Sequence, residues 1–154
     1  MEYKFEDVFN NEIIFLDVQG SSHDEALKNV SNLLQQKGYV EDAKKFEDAL
    51  IYRENLISTG LSDGIAVPHG VSSTVQRPFV SIVRLKNEID WHALDNKGVK
   101  ILFIIGSPKN ERQCQVDFLQ NICSWSLDDN IKNVILNAND ANQILEVLKT
   151  KEFY

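Results

Sequence analysis

The amino-acid sequence predicts an α/β chain, a mixed β-sheet flanked by helices on both faces and folded as a single domain. Three observations point there. Strand-like apolar runs and helical patterns interleave from one end of the chain to the other, the ordering that sheet-and-helix layers require. The run from Val99 to Ile105 is continuously apolar, as expected of a strand covered on both faces. The amphipathic segments also carry more apolar surface than one sheet face can cover.

Taken in order, Ile13-Ile14-Phe15-Leu16 with Val18 predicts a short buried strand, ended by Gly20-Ser21. Ser22 and Glu25 have the spacing of a capping box. Ala26, Leu27, Val30, Leu33 and Leu34 then repeat at helical spacing until Gly38 stops the helix. A second amphipathic helix runs from about Glu41 to Asn55, with Ala43, Phe46, Ala49 and Leu50 facing inward. Ser58-Thr59-Gly60 and Asp63-Gly64 are turn material. Ile65-Ala66-Val67 is a short strand that Pro68-His69-Gly70 leaves. Pro78 to Leu85 is a strand, Ile89 to Trp91 a candidate for another, and Val99 to Ile105 the long buried one. A helix from about Glu111 to Leu127 follows, its apolar positions being Val116, Phe118, Leu119 and Ile122. Asp128 or Asp129 caps the next, built on Ile131, Val134 and Ile135. Asp140 with Gln143 forms a last capping box before Ile144, Val147 and Leu148.

Composition sets bounds on function. A length of 154 residues suits one domain, taken here as residues 1–154. The net charge of -7 and a pI near 4.9 argue against a nucleic-acid binder, whose target attracts Lys and Arg. The same charge repels anionic lipid headgroups. No run approaches the ~20 apolar residues of a membrane span. The segment from Met1 to Asp7 is acidic and lacks the apolar core of a signal peptide. Cys114 and Cys123 are too few for a disulfide framework and are read as reduced and packed. The expected location is cytoplasmic. His23, His69 and His92 lack metal-ligand spacing, so neither a metal nor another cofactor is expected.

Chemistry concentrates in residues 53–70, RENLISTGLSDGIAVPHG. His69 stands between Pro68, which has no N–H and a fixed φ, and Gly70, which lets bulk approach the ring. A rigid strand end that projects one imidazole into a loop-lined cleft suits a nucleophile. A neutral imidazole nitrogen can attack a phosphoryl group and form a phosphoramidate that releases it again. Arg53, at the end of the second helix, can offer a bidentate guanidinium to the phosphoryl oxygens. Ser58, Thr59 and the glycine-rich backbone can add neutral donors. Glu54 either orients Arg53 or continues the helix. His23 reads as a surface residue, His92 as part of a hairpin, and Trp91 and Trp125 as core packing.

This window resembles the phosphohistidine signature of the type-2 EIIA proteins, the fructose/mannitol/galactitol-like class of the bacterial sugar phosphotransferase system. The resemblance extends over Ile13 to Asp17, over Ile89 to Val99 (IDWHALDNKGV), and over Val99 to Pro108. It implies a phosphotransferase in which His69 takes a phosphoryl group from the carrier HPr, on ring nitrogen Nε2. The group would then pass to an EIIB component, and through it to a sugar entering by the membrane-embedded EIIC. It implies the same sheet-and-helix fold. The chain departs from many members at a second histidine expected at the start of the helix after the long strand. The apolar pattern there places Gln115 in that slot, with Gln113 as the alternative, as in galactitol-type members. A glutamine can donate a hydrogen bond to a phosphoryl oxygen but cannot hold a proton. The rival reading is regulatory. Nitrogen-type relatives use the same histidine as a switch of partner choice. A hydrolase with His69 as base is disfavoured, because no G-x-S-x-G motif accompanies it. Docking is expected at apolar and acidic residues near the cleft, with Leu61 and Asp63 on its rim.

Overall fold

A computed structural model describes residues 3–151 and Phe153. In chain order the elements are α1 (Phe5–Val8), a 3₁₀ turn (Asn11–Ile13), β1 (Ile14–Val18), α2 (His23–Gln36), α3 (Ala43–Leu56), β2 (Ile65–Ala66) and β3 (His69–Val71). Then come β4 (Phe79–Ile89), β5 (Val99–Ser107), α4 (Gln113–Ser126), α5 (Asp129–Asn137) and α6 (Ala141–Lys149).

The starts of α2, α5 and α6 follow caps foreseen in the sequence, whereas α3 is capped by Asp42, which accepts the Lys45 N–H at 3.1 Å, and α4 has no side-chain cap. The Ser22 hydroxyl accepts the Glu25 N–H at 3.2 Å, and Asp140 accepts the Gln143 N–H at 3.1 Å. Of the two candidates before α5, Asp128 is the cap, taking the Ile131 N–H at 3.1 Å. At the far end of α2, Gly38 adopts φ +82°. Its N–H bonds Gln35 and that of Tyr39 bonds Leu34, each at 3.0 Å, the paired closure of a left-handed C-cap.

The sheet runs in the order β1-β4-β5-β2, with β3 also on β5. β4 and β5 are antiparallel, and the other pairings are parallel, so the sheet is mixed as expected. Side chains alternate across the pleat. Val80, Ile82, Ile101, Phe103 and Ile105 pack under the C-terminal helices with Phe118, Ile122, Trp125, Ile135 and Leu148. Phe79, Val83, Leu85, Leu102 and Ile104 pack on the opposite face with Leu27, Val30, Leu34, Phe46 and Leu50 of α2 and α3. That two-faced burial is why β5 reads as an unbroken apolar run.

Several expectations need correction. Ile89 is the end of β4 and pairs with Val99, while Trp91 lies in the following loop. A register irregularity after Arg84 carries the strand past the polar Lys86-Asn87-Glu88, which had looked like its end. Val116 faces outward, 47% exposed, and Cys123 is exposed while Cys114 is buried. Both tryptophans are buried as read. No helix among the described residues is long and apolar enough to cross a membrane.

Candidate functional site

His69 is not at a strand tip, as the sequence suggested, but opens β3 on the edge of the sheet. β2 and β3 lie on the same side of β5 and are interrupted at Val67-Pro68. Ile65 and Ala66 pair with Ile101 and Leu102, and His69, Gly70 and Val71 pair with Ile105, Gly106 and Ser107. Pro68 cannot donate to the ladder, yet its carbonyl still accepts the Ile105 N–H at 3.0 Å. An edge strand tolerates that proline and resumes one residue later, at the histidine.

Gly70 sets which way the imidazole looks. A Cβ at Gly70 would lie 3.1 Å from the Ala49 Cβ, so its bare face lets α3 pack onto the strand. The pleat therefore turns His69 and Val71 toward the other face, the one α4 covers. What approaches closely at the glycine is a helix, rather than a ligand group at the ring.

The His69 Nδ1 lies 2.8 Å from the Val67 carbonyl oxygen. A carbonyl only accepts, so Nδ1 carries the proton and Nε2 keeps a free lone pair. Burial pushes the imidazole below its ordinary value, and the Arg53 charge pushes the same way. The Val67 hydrogen bond and the Glu54 carboxylate oppose them. The half-buried ring is thus neutral at neutral pH, the form that can act as a nucleophile.

Arg53 occupies the last turn of α3, and its Nη1 donates to the Ile57 carbonyl at 2.8 Å. That bond fixes the guanidinium at the helix end where its charge reaches the imidazole. The expected neutral donors are otherwise engaged. The Thr59 hydroxyl donates to Glu54 Oε1 at 2.7 Å, and the Thr59 N–H to Glu54 Oε2 at 2.6 Å. The Ser58 hydroxyl donates to the Trp91 carbonyl at 2.6 Å and accepts the Gly60 N–H at 3.1 Å. Ser58, Thr59 and Glu54 therefore build the wall of the site, and none of them offers a spare hydrogen to a phosphoryl oxygen. Glu54 binds Thr59 and does not orient Arg53.

Gln115 lies in the first turn of α4, the helix that follows β5 and packs on the sheet face to which His69 turns. It is partly buried beside the inward row of Cys114, Phe118, Ile122 and Trp125. Gln113, the alternative, is exposed.

The expected rim residues lie elsewhere. Asp63 is at the Ile101 end of the strands, 3.4 Å from Lys97 and 3.6 Å from Lys132, and Leu61 packs against the core. What the sequence reading missed is an exposed apolar group where α3 ends: Tyr52, Leu56 and Ile57 are each more than 60% exposed, around Arg53. The signal was available, because three large apolar side chains fall off that helix's inward face. The Val67 carbonyl was missed as well, and a backbone group leaves no mark in a sequence.

Residues 7–151 match the family described as "Phosphoenolpyruvate-dependent sugar phosphotransferase system, EIIA 2". The Escherichia coli "PTS system fructose-like EIIA component" is 33% identical over 135 residues, 88% of this chain and 90% of that one. A Mycoplasma pneumoniae "PTS system fructose-specific EIIABC component" is also 33% identical, over 79% of this chain but only 17% of its own length. Among solved structures, the nitrogen regulatory protein IIA-Ntr of Neisseria meningitidis shares the fold with a TM-score of 0.82 at 24% identity, covering 90% of this chain and 94% of that one. The mannitol enzyme IIA of Escherichia coli, solved in complex with phosphorylated enzyme IIB, does so with 0.75 at 23%, covering 93% and 98%.

Proposed function

The chain belongs to the EIIA 2 family of the phosphoenolpyruvate-dependent sugar phosphotransferase system and so works in phosphoryl transfer; we propose that it carries the phosphoryl group on His69. The observation that supports this best is the Nδ1–H bond to Val67, which leaves Nε2 as the nucleophilic atom of a neutral ring. Phospho-HPr is the donor. Its N–P bond breaks as the bond to His69 Nε2 forms, the electron pair returns to the donor nitrogen, and the proton stays on Nδ1. Arg53 offsets charge on the phosphoryl oxygens at the cost of a modest movement from Ile57, and Gln115 adds an amide donor from the opposite side. The reverse sequence of bonds passes the group to an EIIB component, and through it to sugar entering by EIIC.

Tyr52, Leu56 and Ile57 form the surface against which these partners dock, in place of the rim of Leu61 and Asp63 expected from the sequence. The protein works in the cytoplasm. No step calls for a metal or other cofactor. Transport is favoured over the regulatory reading because the fructose-like EIIA component is 33% identical over nearly its whole length. Incubation with Enzyme I, HPr and radiolabelled phosphoenolpyruvate tests the proposal: one acid-labile label per chain is expected, absent from His69→Ala. Label that persisted in that variant would reject it.

A further inference from the structure

We infer that Glu54 is the positioning residue of the site: its carboxylate fixes Thr59, Thr59 fixes the Val67 segment, and the Val67 carbonyl holds the His69 ring with Nε2 free. The inference rests on the phosphoryl-carrier reading for its consequence, but not for its geometry.

The chain of contacts is continuous. Glu54 is 6% exposed and takes both hydrogens that Thr59 offers, the N–H at 2.6 Å and the hydroxyl at 2.7 Å. The Thr59 carbonyl accepts the Val67 N–H at 3.0 Å, and the Val67 carbonyl accepts the His69 Nδ1–H at 2.8 Å. Thr59 Oγ1 also accepts the Trp91 Nε1–H at 3.3 Å, from a ring with no exposed surface. One further backbone hydrogen bond zips the same segments together, from the Leu61 N–H to the Ile65 carbonyl at 2.8 Å, and with the Thr59–Val67 bond it closes the antiparallel bridge between Gly60 and Ala66. The Val67 carbonyl is therefore not a freely rotating loop group. It is the end of a braced hairpin whose anchor is a buried carboxylate on α3.

Arg53 and Glu54 adjoin on that helix, so one helical turn presents the cation for the phosphoryl group and the brace for the nucleophile. A helix moving on partner docking carries both together. Buried polar groups linked this way are worth more as a unit than as separate pairs, and misplacement of a reacting atom is costly. The carboxylate acts here as a double acceptor. A glutamine of the same shape can still accept the Thr59 N–H and donate to the hydroxyl oxygen, whose own hydrogen then turns away. An alanine can do neither.

The test compares Glu54→Ala with Glu54→Gln, and Thr59→Val with Thr59→Ser as a second pair in case the alanine variant fails to fold. In Glu54→Ala, the single-turnover transfer step from phospho-HPr is expected to fall about 10-fold to 100-fold, with KM for phospho-HPr unchanged. Glu54→Gln and Thr59→Ser stay close to wild type, and Thr59→Val falls with Glu54→Ala. In the unphosphorylated proteins, ¹⁵N spectra of the His69 ring are expected to show the Nδ1–H tautomer alone in wild type and Glu54→Gln. In Glu54→Ala they show a mixture of tautomers. That readout needs no phosphoryl chemistry, so it stands apart from a failure of the carrier reading. Glu54→Ala with an unchanged tautomer and transfer step, and only a lowered Tm, would overturn the inference. Equal losses in Glu54→Gln and Glu54→Ala would overturn it too, by showing that charge rather than bracing is what matters.

Discussion

At the scale of single residues, the site depends on how one ring is held. Burial, aided by Arg53, lowers the proton affinity of His69, so its titration followed by NMR is expected to inflect below the ordinary histidine value of about 6.5. Transfer should stay constant as pH falls through that ordinary value and decline only at the lower inflection. The unfolded chain takes up this proton first, so stability is lost as pH falls from the unfolded value toward the folded one. Loss of the guanidinium should act on chemistry rather than folding. Arg53→Ala is expected to slow transfer by about 100-fold or more, measured by quenched-flow, because a charge-stabilising donor is removed. His69 and Arg53 were proposed from the sequence, because unusual residue types in a fixed order carry information. The engagement of Thr59 and Ser58 was not, since a hydroxyl that can donate to a ligand can equally donate to Glu54 or to the Trp91 carbonyl.

At the scale of elements, two glycines govern how closely strands and helices approach. Gly106 faces Phe79, whose ring carbons would lie 2.4 Å from an added Cβ, whereas at Gly70 the nearest atom, in α3, is 3.1 Å away. Gly106→Ala is therefore expected to destabilise by about 1–3 kcal/mol or more, and Gly70→Ala by less, read as denaturant midpoints at constant m-value. Gly70→Ala has a second expected consequence: pushing α3 off β3 moves Arg53 and Glu54, so transfer falls although neither residue is changed. Element starts were readable because caps are local, a side chain bonding an N–H three residues on. The division of residues 65–71 into two short strands was not. Only β5, distant in sequence, decides that His69 resumes the ladder after Pro68.

For the whole molecule, one sheet separates two cores, and Arg84 ties its outer part together. From β4 this buried guanidinium donates to both carboxylate oxygens of Asp17 in β1, at 3.1 Å each. It also donates to the Ile135 carbonyl in the last turn of α5 and to the Ala138 carbonyl at that helix's C-cap, at 3.0 and 2.8 Å. Arg84→Ala would orphan those carbonyls and is expected to cost about 1–3 kcal/mol by thermal melting, with His69 labelling by phospho-HPr retained. The sequence by itself determined the fold class, the caps of α2, α5 and α6 and the two-faced burial of β5, and it proposed the histidine with its arginine. Periodicity, capping spacing and local motif are written over a few consecutive residues, and each has a short-range physical cause. Tertiary structure alone decided which hydroxyls were already spent, that Asp63 lies at the far end of the strands, and that Val67 sets the ring tautomer. Those facts depend on which distant segment arrives beside a group and takes its hydrogen bonds.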